Sequence, residues 1–545
     1  MYFRKLLFAS LNFICIASFA QTFTYLDVGN SKSIIYSDGN LFQDMANSNA
    51  GLEIPKNSNK HSIYASAIWL SATSQRNGIP YISSAYETFG NENKFQVGPV
   101  DIVNQVGDQS MQFQTLWNVK KSEINNHILN WNNPNYTTPS GIASWPGNGN
   151  ANTAQNLAPF ADLDGDNLYE PQSGEYPIIK GDQAVYLIVN DYRAEDTVFN
   201  LGNIQAIYAP LKVEMHLMLY AFNSPIPAIS NTIFVEATIY NRSNASIDDH
   251  QDLRFSVFAD FDLGNPIDDY VGSSQSKNMF YAYNADLFDE NFGGNSGYGN
   301  RLATQGVKFL DYGLNHAVYY NIGSQWNGDP INPKDFSNYQ RGKWRNGNQI
   351  LEGGDGYNSA CVNPNSPVKI MYDGNPNAAN LNGEWTEISP CLTNSGNSNA
   401  PGDRRMVGGP SVPQQLLHGN SLKVNFAYVF AQDNSVSTSV GSPVGKLFAV
   451  ADTVQSFFDN TITQVDQLDT KPFEFTIYPN PANIWVQIST KSKNFEIEVL
   501  DMKGSVLMKD KNKTNLDFSA LKNGIYFVRI KDKGTVQTKK LILSR

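Results

Sequence analysis

Along Val213–Ala221, the residues Val213, Met215, Leu217, Leu219 and Ala221 alternate with Glu214, His216, Met218 and Tyr220. Along Leu422–Phe430, Leu422, Val424, Phe426, Tyr428 and Phe430 fall on one side in the same rhythm. A repeat of two fits the pleat of a β-strand and no helical face, so these runs predict half-buried antiparallel strands with polar partners turned to solvent. Gln183–Val189 and Thr232–Tyr240 read alike, with turns at Asn190–Asp191 and at Asn241–Asn244. Helical spacing is seen at Leu447, Val450, Ala451, Val454, Phe457 and Phe458, and at Ile124, His127, Ile128 and Trp131 behind a Ser122 cap. The 63 Asn, 41 Gly and 26 Pro supply turns on a large scale. At 545 residues the chain exceeds one ordinary core. The expected class is mainly β: one or two antiparallel β-sandwich domains plus a small C-terminal β-sandwich.

The ends differ chemically from the middle. Arg4 and Lys5, an apolar run from Leu6 to Phe19, and Ser18 and Ala20 before Gln21 read as a secretory signal peptide at residues 1–20, taken by the Sec translocon. The run is too short for a membrane anchor, which needs about 20 apolar residues, and Asn12 interrupts it. We divide the remainder into an N-terminal β-rich region at 21–150, central β-rich domains at 151–458 with a loop-rich insertion at about 327–405, a polar linker at 459–474 and a tail at 475–545. The tail has 13 Lys and Arg against 6 Asp and Glu, whereas residues 21–474 have 25 against 45, a balance of −20. Such an acidic body argues against nucleic-acid binding, which needs clustered basic residues. Cys15 leaves with the signal, and Cys361 and Cys391 then sit in an oxidising compartment where a disulfide is the default; two free thiols are the alternative.

The tail carries the most specific pattern. Tyr478-Pro479-Asn480-Pro481 opens it, Leu500-Asp501-Met502-Lys503-Gly504 lies in its middle, and Asn523-Gly524-Ile525-Tyr526 precedes Lys539-Lys540. Gly504 and Gly524 are expected to allow tight hairpin connections. In order and spacing these blocks resemble the type A C-terminal sorting domain of the Bacteroidetes type IX secretion system. The resemblance covers residues 475–545 and implies periplasmic folding, passage through the type IX machinery, removal of the tail with Lys539 and Lys540 by its sortase, and either attachment to surface lipopolysaccharide or release. The body resembles a layout recurring among large secreted Bacteroidetes proteins with this tail, on Glu53-Ile54-Pro55, Ala67-Ile68-Trp69-Leu70, Ala158-Pro159-Phe160-Ala161-Asp162 and Asp268-Asp269-Tyr270-Val271-Gly272. That layout implies no activity.

Two acidic segments are candidate sites. In Asp162-Leu163-Asp164-Gly165-Asp166-Asn167-Leu168-Tyr169-Glu170, the carboxylates of Asp162, Asp164 and Asp166 alternate along a turn, with the Leu168 carbonyl and Glu170 following. Hard oxygens in such a loop suit calcium. It resembles the first half of EF-hand, dockerin and thrombospondin loops, with Asn167 where glycine is expected, Ser173 at position 12, and Glu170 or Glu175 as substitutes; a solvated acidic turn is the alternative. The second segment, Asp260, Asp262, Asp268 and Asp269 around Gly264-Asn265-Pro266, admits calcium, a glycosidase carboxylate pair or a solvated turn. The histidines form no HExxH pair, and neither a GxSxG elbow nor a phosphate loop is present. His127 is expected in packing, His216 on a solvated face, and His250 beside Asp248 and Asp249. The leading expectation is an exported binding, adhesion or matrix protein with a glycan or protein ligand; the alternative is a secreted carbohydrate-active hydrolase or lyase using these aspartates.

Overall fold

A computed structural model describes residues 22–76, 79–86, 95–192, 197–201, 204–246, 249–323, 325–392, 398–462, 475–490, 495–501, 505–532 and 535–545. The signal segment, Asp248, Gly504 and linker residues 463–474 lie outside the described residues. The chain separates into two compact units, Met1–Val454 and Gln455–Arg545.

The first unit is built on two large sheets. One runs in the order Trp117–Lys120, Gln183–Asn190, Val213–Ala221, Ile233–Asn241, Ser421–Gln432, Ala303–Phe309, Met279–Asn284, Asp269–Ser274. The other runs Thr197–Leu201, Ile204–Ala209, Ile79–Tyr86, Ala65–Arg76, Gln251–Phe261, Arg404–Pro410, Leu314–Tyr320. Neighbours are antiparallel except Ile204–Ala209, which lies parallel to Ile79–Tyr86 with Tyr208 opposite Ile82. Side chains from both sheets share one core that includes Leu187, Leu217, Val257, Val307 and Val424. Across it, the Phe255 and Phe426 ring centroids lie 6.0 Å apart, and the Ser66 and Tyr428 hydroxyls 2.7 Å.

Ile233–Asn241 keeps the expected alternation, with Glu236, Thr238 and Tyr240 partly exposed, but Gln183–Asn190 and Val213–Ala221 are not half-buried. Every residue of Val213–Ala221 is buried, because the face expected to meet solvent is roofed by the segment leading into the sheet. Tyr186 on that face donates to the Leu157 carbonyl at 2.7 Å and packs against Trp117 and Trp145, and Glu214 accepts from the Val100 amide at 2.6 Å. The seven-stranded sheet is likewise covered outside. Trp69, fully buried, stacks on Phe258 at 5.3 Å and meets Phe336 edge-on at 4.6 Å. Phe336 belongs to the helix Pro333–Tyr339, whose Asn332 side chain caps it by accepting from the Asp335 amide at 3.1 Å. The loop-rich insertion is therefore a lid over the sheet. It contributes Trp344, Ile350, Met371, Tyr372 and Trp385 to the core, and Cys361 and Cys391 are disulfide-bonded within it.

Both expected helices form, with different ends. Lys121–Asn130 begins ahead of Ser122, where the Lys120 amide donates to Glu123 at 2.8 Å. The helix Ser442–Phe457 continues as a π-helical turn at Phe458–Ile462, so residues 459–462 are helical instead of linker; Phe458 and Ile462 are buried there.

In the second unit, a three-stranded sheet (Phe475–Tyr478, Trp485–Thr490, Asn515–Asp517) and a four-stranded sheet (Val506–Lys511, Glu496–Leu500, Gly524–Asp532, Thr535–Leu543) enclose a core that includes Phe475, Val486, Val499, Leu516, Val528 and Leu541. The peptide bonds preceding Pro479 and Pro481 are cis. Asn480 between them donates to the Lys540 carbonyl at 2.8 Å and accepts from the Ile542 amide at 2.9 Å, which ties the opening motif to the last strand. Asp501 accepts from the Ser505 amide at 2.8 Å, and Tyr526 donates to the Lys522 carbonyl at 2.7 Å. Lys539 lies opposite Val528 and Lys540 opposite Phe527. Gly524 is not a turn glycine: it begins a strand opposite Leu543, with Ile525 opposite Ile542.

The outer aromatic stack yields a direct expectation. Trp69→Ala should cost about 3–5 kcal/mol of stability, read by denaturant unfolding of the full chain; a loss under about 1 kcal/mol would mean that the lid does not depend on this ring.

Candidate functional site

The first acidic segment folds as a turn pinned from inside. Asp162 accepts from the Gly165 amide at 2.7 Å and the Asn167 amide at 3.0 Å, and Asp166 accepts from the Leu168 amide at 2.8 Å. Gly165 and Asn167 both take positive φ, +82° and +65°, so asparagine fills the left-handed position where glycine is usual. Glu175 is the pin. Only 2% exposed, it accepts from the Leu163 amide at 2.9 Å and the Glu170 amide at 2.8 Å. Carboxylate oxygens of Asp162, Asp164 and Glu175 lie within 4.8 Å of one another, as do those of Asp164, Asp166 and Glu170. Asp162, Asp164, Asp166 and Leu168 are exposed. The arrangement gathers hard oxygens on one side of a rigid loop.

The second segment divides. Asp260 ends the strand Gln251–Phe261, opposite Arg405 of Arg404–Pro410. Oxygens of Asp260, Asp262 and Asp403 lie within 4.8 Å of one another. Arg405 reaches Asp260 through Nε at 3.2 Å and Asp329 through Nη1 at 2.6 Å. Burial pushes Asp260 up to about 7, opposed by Arg405 and assisted by Asp403. Burial, then Asp260, also drives Asp262 far above the usual carboxylate range. Asp268 and Asp269 do not join this group; they lie beside Asp289. Burial, then Asp289, raises Asp268 to about 7, while burial, then Asp268, raises Asp269 well above its ordinary value. Asp289, at about 6, is raised by burial and restrained by amide hydrogen bonds from Tyr298 and Asn265. Two of the four carboxylates are taken out of solvent, Asp260 at 3% exposed and Asp269 fully buried, while Asp262 and Asp268 stay partly exposed.

Asp403, Asp329, Arg405 and Asp289 carried no signal in sequence, because strand register and loop closure bring Asp403 and Arg405 to Asp260 from over a hundred residues away, Asp329 to Arg405, and Asp289 to Asp269. The histidines also differ from expectation. His216 is buried, its Nε2 2.9 Å from Glu214 and its Nδ1 2.9 Å from the Tyr186 hydroxyl. Burial raises the Glu214 carboxyl, but the His216 bond and charge and the Arg242 charge outweigh it and hold Glu214 at about 2. Asp249 pairs with His418 at 2.8 Å and also feels the charge of the neighbouring His250. His127 packs as expected, fully buried, with Nε2 3.0 Å from the Glu175 carbonyl.

The two small sheets at the C-terminus coincide with a sorting module. Residues 476–544 match the family model of the secretion system C-terminal sorting domain, so the chain is delivered by the type IX secretion machinery and is secreted or attached at the cell surface. No curated protein matches the chain. Among solved structures, a polysaccharide lyase is similar at 7% identity, with a TM-score of 0.17, over 68% of this chain and 37% of that one. Among the described residues, no helix is long and apolar enough to cross a membrane.

The buried aspartates set a pH dependence. Asp260 in the folded state holds its proton to about pH 7, whereas an unfolded aspartate releases it near 3.8. Folding therefore binds protons between these values, and this contribution to stability, full below about pH 4, is lost as pH rises through about 7. In metal-free buffer the melting midpoint should fall across that window, and Asp260→Asn should flatten the fall; an unchanged slope would show that Asp260 is ionised throughout.

Proposed function

We propose that the body is a non-catalytic binding protein of the cell surface or its surroundings, engaged in adhesion or matrix attachment through a glycan or protein ligand, with calcium on the Asp162–Glu170 loop. The observation that supports it most is the burial of the acidic centre. Asp260 is 3% exposed and engaged by Arg405, whereas a catalytic carboxylate must touch substrate. A carbohydrate-active hydrolase or lyase is the second reading. It is favoured by the closeness of Asp260 and Asp262 and by an Asp260 carboxyl held at about 7, within the range of a general acid.

The supporting arguments for calcium are the convergent oxygens on an exposed loop and the anchoring of that loop by Glu175. Binding to the native state alone would stabilise it by mass action. Export through the Sec translocon, tail removal by the sortase and attachment to lipopolysaccharide complete the proposed route.

Offered panels of polysaccharides and matrix proteins, the full chain should bind saturably without turnover; turnover abolished by Asp260→Asn would replace this reading with the second. Calcium should raise the melting midpoint by several degrees over chelator, and Asp164→Asn with Asp166→Asn should remove most of the difference; an equal midpoint with and without chelator would eliminate the metal.

A further inference from the structure

We propose that the groove bounded by Gln275, the segment from Pro367 to Gly374 and the segment from Gly383 to Leu392 is the ligand site of the body, and that it takes an uncharged oligosaccharide. This rests on reading the body as a binding protein. The groove has a volume of about 730 Å³, within the range of small-ligand sites. A second hollow of about 600 Å³ shares Gln275, Asp373, Gly374 and Glu384 with it and is lined by Phe448 as well, so the two adjoin.

Its chemistry is amphipathic in the way a sugar ring is. Val368, Ile370 and Leu392, partly buried against the main core, give an apolar floor. The rim is polar, and its groups are unspent. Gln275 and Gln349 are exposed, and among the described residues their side-chain amides bond to nothing in the protein. Each amide offers a donor and an acceptor, the pair that vicinal hydroxyls require. Asp373 accepts from the backbone N–H of Gln275 at 2.6 Å, and Glu384 from the backbone N–H of Asn375 at 2.6 Å. One oxygen of each carboxylate is thereby held in place, leaving the other for a ligand hydroxyl.

The walls are fixed before any ligand arrives. The disulfide Cys361–Cys391 ends beside Leu392, the Gly354 amide donates to the Pro390 carbonyl at 2.8 Å, and Trp385 Nε1 donates to the Gly354 carbonyl at 3.3 Å. Fixed walls lower the ordering cost of binding. Charge selects among glycans: Glu352, Asp373 and Glu384 face Lys369 alone, three negative groups against one positive. That balance repels uronates and sulfated chains and admits neutral ones.

The test is calorimetric titration of the full chain with neutral cello-, xylo- and malto-oligosaccharides and with oligouronates, repeated on Gln275→Ala/Gln349→Ala. Neither glutamine side chain takes part in the hydrogen bonding of the described residues, and alanine keeps the Gln275 backbone amide that Asp373 accepts from, so the double variant should melt as the parent does. Neutral oligosaccharides should bind the parent and at least about 10-fold more weakly the double variant, the loss of one to two hydrogen bonds. Equal affinity in the two would overturn this site while leaving a saccharide-binding body in place. Preference for oligouronates would overturn the charge argument and the proposal with it. Binding to proteins but to no saccharide would overturn the ligand class alone, and binding to neither would remove the underlying reading.

Discussion

Among the described residues, the central strands of both large sheets bury much of both faces, and most other features follow from that. An antiparallel sheet commonly keeps one face in water. Here the shared core takes the inner faces, and each outer face still carries aromatic side chains, Tyr186 and Tyr220 on one sheet, Trp69, Phe258 and Tyr320 on the other. Large aromatic surface left in water would be unfavourable at about 25 cal/mol per Å². The chain answers with coverings that have little regular structure of their own: the segment before Gln183 on one side, and the segment between the strands Leu314–Tyr320 and Arg404–Pro410 on the other. The abundance of Asn and Gly is the means, because coverings that fold back on themselves need turns at close intervals.

Two-sided burial also accounts for the acidic centres. Strand ends that would otherwise open to solvent are closed over by these coverings, and carboxylates placed there are carried inside. Asp260 keeps a partial counter-charge because its strand pairs with the one bearing Arg405. Asp269, fully buried beside Asp268 and Asp289 with like charges for neighbours, is pushed further above the usual carboxylate range.

The strands were legible in the sequence because period two survives whatever covers the sheet. Their environment was not. In Val213–Ala221 the alternation of Glu214 and His216 with apolar residues reads as solvent exposure, yet the same residues satisfy one another and Arg242 under a roof whose position depends on contacts a hundred residues distant. The Asp162 loop was legible because its hydrogen bonds are local, within about a dozen residues. The second acidic segment was legible only as a composition, since Asp260 and Asp262 meet Asp403 while Asp268 and Asp269 turn toward Asp289. The groove was not legible at all: Gln275, Gln349, Asp373 and Glu384 belong to no motif, and only the lid's closure brings them to one rim.

The tail's basic charge has a physical reason of its own. Its four-stranded sheet ends on Val506–Lys511 at one edge and Thr535–Leu543 at the other, and each edge bears lysines: Lys509 and Lys511 on the first, Lys539 and Lys540 on the second. Lysine on an edge strand discourages pairing with strands of other chains. Glu498 on the adjoining inner strand takes Lys509 at 2.9 Å and Lys531 at 3.1 Å, so part of that charge is neutralised within the sheet while the edges stay cationic. A small β-module with two open sheet edges needs such charges more than the cargo does, whose central strands are covered among the described residues. The +7 of the tail and the −20 of the body therefore express two solutions to one problem: the tail guards its sheet with charge, and the body with covering chain.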